Sequence, residues 1–125
     1  MLDVRTVTQE FKSRIYGRAE NRTLTGRRRA WNGTPRITAL YNTPVQGTAA
    51  DITKKALALL PHRLADYGAK IIGTVHDEII LEVPDRLAGE VAVILKETMI
   101  QTGKAHLSKV PVEVEVTVAN NWAEK

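Results

Sequence analysis

Cysteine is absent from the 125-residue sequence, which excludes a disulfide framework and any thiolate metal site. Aromatic residues are scarce, at 5%, so any core must be aliphatic. No apolar run approaches the roughly 18 residues that indicate a membrane span. Asp3, Arg5, Glu10 and Lys12 interrupt any stretch that could serve as a secretory leader. A soluble cytoplasmic protein with no membrane partner is the expectation. What the chain does have is 43% hydrophobic and 26% charged residues, ordinary for a globular protein. Its length suits one small domain or a piece of a larger one.

Negative charge is scarce in one place. Residues 1–36 hold nine Lys/Arg against three Asp/Glu, a net of +6, whereas residues 37–125 hold nine against eleven, a net of −2. The basic character peaks at Arg27-Arg28-Arg29. Such a patch suits a polyanionic partner; the plainer alternative is a solvated basic loop.

No repeat, low-complexity tract or interdomain linker interrupts the chain. Residues 6–20 can form a helix with Val7, Phe11 and Ile15 on one stripe. The segment from Gly17 to Pro35 is polar, basic and broken by glycine, and reads as largely irregular. A strong helix follows, with Asn42 or Thr43 as cap, Pro44 in the first turn and Gly68 as stop. Val45, Ala49, Ile52, Ala56, Leu60, Leu64 and Tyr67 step by three and four, which is one helical face. Pro61 should kink that helix or split it. Strands are expected at 69–75 and 78–83, then a helix opened by Pro84-Asp85 with Leu87, Val91, Ile94, Leu95 and Met99 on its buried side. Val112, Val114, Val116 and Val118 alternate with Glu113, Glu115 and Thr117, the pattern of a strand with one wet face. The expected fold is a single α+β domain over 1–125: a basic helix-and-loop region at 1–36, then a helix–hairpin–helix–strand unit at 37–125. Its small antiparallel sheet, hairpin plus C-terminal strand, carries helices on one face.

The stretch GTVHDEIILEV, residues 73 to 83, puts His76, Asp77 and Glu78 inside an otherwise apolar run. With strand residues on both sides, His76-Asp77 reads as a tight hairpin tip. Such tips normally recruit Gly, Asn or Asp, because primed turns need positive φ. A polar turn that happens to carry charge is one reading. The other is that Asp77 is a ligand for a hard cation such as Mg²⁺, which favours carboxylate oxygens. Successive strand residues point to opposite faces, so Glu78 is at most a secondary ligand or an orienter. A lone histidine is more often a packing or hydrogen-bonding residue than a ligand.

VHDE, after a helix that opens NTPVQGTAADITK, resembles the C-terminal half of the palm of a family A DNA polymerase. The upstream TGRRR and the terminal NNWAEK are similar to that family's GRRR element and NW-type end. Four blocks in the family's order cover most of residues 25–125. The resemblance implies a palm-like fragment in which Asp77 is the catalytic, metal-binding aspartate and Glu78 its less essential neighbour. It also implies DNA contacts: His76, Gln46 and Asn42 along the primer–template, with Gln46 donating to the minor groove, and Arg27, Arg28 and Arg29 on phosphates. Minor-groove acceptors look alike across base pairs, so such a contact checks duplex shape without reading sequence. Taken alone, the Gln46 block is an ordinary capped amphipathic helix.

The family's upstream DYSQIE-type motif, which carries a first catalytic aspartate, is missing. So is the fingers helix whose Arg, Lys and Tyr hold the incoming nucleotide. PRITALYN also departs from the family's ERxAxN, with Ile37 and Thr38 where Glu and Arg are expected. One carboxylate cannot clamp two Mg²⁺ ions, so a chain of this kind should be inactive alone. Deoxynucleotides would bind only with the missing part, supplied by the rest of a polymerase in cis or in trans. A different class of function is a stand-alone nucleic-acid-binding or partner-docking module without catalysis. Metal-dependent hydrolysis of the HD type is disfavoured, because His62 and His106 are isolated and the His-Asp pair sits between strands.

Overall fold

The computed structural model describes residues 19–124, so the helix expected at 6–20 lies almost wholly outside the described residues. The chain divides into two compact units, Met1–Asp51 and Ile52–Lys125, each with its own antiparallel two-stranded sheet.

In the first unit, β1 (Ala19–Arg22) pairs with β2 (Arg28–Trp31). This corrects the reading of 17–35 as largely irregular. The loop between them is closed by Gly26 N–H to the Thr23 carbonyl at 2.9 Å and Thr23 N–H to the Arg27 carbonyl at 3.0 Å. Gly26 takes φ +88°, the left-handed residue that three-residue hairpin loops require. The helix α1 (Ile37–Arg63) then begins five residues earlier than its expected cap and places Pro44 in its second turn. Proline there deprives the carbonyl four residues back of its donor. Asn21, buried in β1, supplies the replacement: its side-chain amide donates to the Leu40 carbonyl at 2.8 Å. The expected apolar face fails in this half of α1, since Val45 is 67% exposed while Leu40, Thr43 and Thr48 are buried. Small residues face the hairpin because it approaches closely. A Cβ on Gly47 would lie 2.5 Å from the Thr23 methyl.

In the second unit the expected face is present: Ala56, Leu60 and Leu64 are buried. α1 runs through Pro61 without splitting and ends two residues later, at Arg63, well before Gly68. A proline so near the C-terminus disturbs little of the helix beyond it, and Gly68, at φ +64°, turns the chain into β3 (Lys70–Val75). β3 pairs with β4 (Glu78–Glu82), with an irregularity between Ile71 and Gly73. A 3₁₀ turn at Asp85–Leu87 leads into α2 (Ala88–His106). Leu60, Leu64, Val91 and Leu95 form the core, and Ile71, Ile79, Leu81 and Ile94 pack against it from hairpin and helix. The α+β class is thus as expected.

The expected C-terminal strand is not formed, since no residue from 111 to 119 joins a ladder. Its alternation survives in burial: Val112, Val114 and Val116 are half-buried and Glu113 and Glu115 exposed. A helix and the core, not a strand, receive that apolar face. Val112 lies where a Cβ on Gly103 would come within 2.6 Å of it, and Val116 packs on the core cluster.

Candidate functional site

Two groups of predicted site residues are each brought together, one in each unit. In the first, Arg27, Arg28, Arg29 and Gln46 line one cavity of about 130 Å³ with Thr23, Thr43 and Gly47. The hairpin supplies the arginines and α1 supplies the rest. Asn42 is exposed one helical turn before Gln46, a spacing that shares a helical face, and it does not line the cavity.

The three arginines differ in what they touch. Arg27 forms an ion pair with Asp51, Nε to Oδ1 at 2.8 Å, and donates to the Gly47 carbonyl at 3.1 Å. Arg28 reaches Glu20 on the neighbouring strand at 3.3 Å. Arg29 donates to the Thr43 hydroxyl at 3.2 Å and lies 5.0 Å over the Trp31 ring, a cation–π arrangement. The Thr43 hydroxyl in turn donates to the Ala39 carbonyl at 2.7 Å. Burial acts to raise the Asp51 pKa. Hydrogen bonds from Thr25 and Thr23, together with the Arg27 charge, more than offset it and hold the carboxyl below the usual range. Asp51, Thr23, Thr43 and Gly47 escaped the sequence reading. TLTGR did carry a signal, a glycine-containing loop of hairpin length, but its polar flanks hid the strands.

In the second unit His76 and Asp77 form the two-residue loop between β3 and β4, the tight tip that the sequence predicts. Both are exposed, and Glu78, paired with Val75, is half-buried. Positive φ falls on His76, at +54°, and on no other non-glycine residue among those described. That places the positive-φ residue first in the loop, where the primed hairpin turns favour glycine, asparagine or aspartate. The positive φ thus falls on the histidine and not on Asp77. The Thr74 hydroxyl donates to the Glu78 carbonyl at 2.9 Å across the strand ends, steadying the base of the tip.

Exposed carboxylate oxygens on such a tip suit a hard divalent cation. Among the described residues, no three His, Cys, Asp or Glu side chains gather as a metal site.

The family model for DNA polymerase family A matches residues 2–124. The thermostable DNA polymerase I of Thermus thermophilus is 48% identical over 82 residues, covering 66% of this chain and 10% of that protein. DNA polymerase I of Aquifex aeolicus is 38% identical over 120 residues, 94% of this chain and 20% of the relative. The solved structure titled as the POL domain of Pol1 from M. smegmatis, complexed with DNA primer-template and dNTP, is also similar. It superposes with a TM-score of 0.66 at 30% identity, over 79% of this chain and 19% of that one. The chain thus spans between a tenth and a fifth of the length of these relatives, and it belongs to DNA polymerase family A.

Proposed function

We propose that this chain is a segment of a DNA-directed DNA polymerase that supplies one metal-binding carboxylate, Asp77, and a duplex-facing surface, and that it does not polymerise DNA alone. The observation that carries this reading is the match of the family to residues 2–124 together with a rigid two-residue tip bearing Asp77. Glu78, half-buried beside it, orients the tip. When bound, the paired Mg²⁺ ions supply charge neutralisation at the attacking and leaving oxygens. The chain's own residues do the positioning. A carboxylate at the end of two packed strands is held more closely than one on a loop. Gln46 and Asn42, exposed on α1, and His76 reach the primer–template, and Arg28 and Arg29 meet its phosphates.

Two measurements test this. Incubation with primer–template, Mg²⁺ and all four deoxynucleotides should give no extension; templated extension by clean material would refute the claim of inactivity. Mn²⁺ titration followed by NMR should broaden resonances around 76–78 first, and Asp77→Asn should abolish that preference. Broadening centred elsewhere would remove Asp77 from the metal site.

The competing reading, a binding module without chemistry, is favoured by the same basic cavity. It predicts duplex binding that weakens steeply with salt and is unchanged by Asp77→Asn.

A further inference from the structure

We infer that Asp51 is a positioning residue that withdraws Arg27 from phosphate and holds it as a clamp between hairpin and helix, leaving Arg29 as the arginine of the triplet most available to a polyanion. This inference deepens the nucleic-acid reading above and rests on it. Three consecutive arginines look interchangeable in the sequence, and the contacts show that they are not. Arg27 commits two of its three guanidinium nitrogens within its own unit, Nε to the Asp51 carboxylate at 2.8 Å and a terminal nitrogen to the Gly47 carbonyl at 3.1 Å. Its backbone N–H is held too, donating to the Thr23 hydroxyl at 3.2 Å.

An exposed ion pair ordinarily contributes little. This one is embedded. The Asp51 side chain is only 12% exposed against 49% for Arg27, and its other oxygen accepts from the Thr25 hydroxyl at 2.5 Å. Residues 23, 25 and 27 of the hairpin therefore converge on one carboxylate of α1. The low titration of that carboxyl, from the hydrogen bonds and the Arg27 charge, keeps it ionised wherever DNA would be bound. Arg28 is intermediate, with a single 3.3 Å contact to Glu20 and 59% exposure. Arg29 meets a neutral hydroxyl and an aromatic face, and neither cancels its charge.

The full chain is used to test this. Affinity for a short labelled duplex is measured by fluorescence anisotropy between about 50 and 200 mM salt, and Tm is measured for each variant. Arg29→Ala should lower the slope of log K against log salt by about 0.9, the loss of one phosphate contact, with only the small Tm loss that its Thr43 and Trp31 contacts carry. Arg27→Ala should lower Tm and leave the slope unchanged. Asp51→Asn, which keeps the side chain's shape and covers the case in which Arg27→Ala does not fold, should lower Tm and steepen the slope by releasing Arg27. The double variant should lose no more Tm than Arg27→Ala alone. If Arg27→Ala and Arg29→Ala reduce the slope equally at unchanged Tm, the clamp is refuted. So it is if Asp51→Asn matches wild type in both readouts. Duplex binding that ignores salt sinks the nucleic-acid reading instead. The clamp is then decided by the Tm cycle, where additive losses overturn it.

Discussion

A left-handed residue with a side chain is costly, and His76 accepts that cost at the tip that carries Asp77. Left-handed backbone costs an L-residue about 1–2 kcal/mol. Such strain persists where surrounding structure over-determines it, commonly at functional positions. Replacing His76 by glycine should therefore stabilise the chain by about 0.5–1 kcal/mol, the relief of strain less the extra freedom glycine gains on unfolding. Urea unfolding measures this; a loss of stability would mean that the imidazole itself holds the turn.

At the scale of elements, Pro44 and Asn21 act as a pair across 23 residues of sequence. The proline removes a helical donor and the asparagine restores one to the Leu40 carbonyl. Asn21→Ala should cost about 1–3 kcal/mol, the usual consequence of leaving a buried polar group unpaired. In a Pro44→Ala background, where residue 44 regains its N–H, the same change should cost clearly less. A double-mutant cycle by thermal or urea unfolding measures the coupling, and equal costs in both backgrounds would dismiss it. This pair also shows where the sequence was and was not legible. From Ile52 onward the three- and four-residue spacing of apolar residues located α1's buried face, and the apolar runs around His76-Asp77 located the hairpin and its tip. The first half of α1 misled because its packing uses Thr43, Gly47 and Thr48, residues without an apolar signature. Pro44, read as a first-turn residue, pushed the start too far along. The β1–β2 hairpin was hidden because its strands, AENR and RRAW, lack alternation, and the valine-rich C-terminal segment shows alternation without a ladder. Motif resemblance singled out Asp77 at that tip as a metal ligand. It could not rank Arg27, Arg28 and Arg29, whose differences arise from the partners that the fold brings to each.

For the whole molecule, the acid response has one contribution of known sign. Asp51 has a lower pKa folded than an unfolded aspartate, whose value is about 3.9. Its contribution is therefore complete at neutral pH, and it is lost as pH falls through the folded value. The stability difference between wild type and Asp51→Asn should stay constant from neutral pH down to about 4 and shrink below it. Urea unfolding over that range checks the sign, and a gap that widens on acidification would contradict it. The two-residue turn at His76-Asp77 has a further consequence, for how a gene of this kind can change in length. The segment 32–36 between β2 and α1 is almost entirely exposed, with open space around Gly33, so added codons there can loop out into solvent. One added codon between Val75 and Glu78 has no such freedom: it would turn the two-residue loop into a three-residue one with a different turn, and re-aim the carboxylate at the tip while β3 and β4 keep their register.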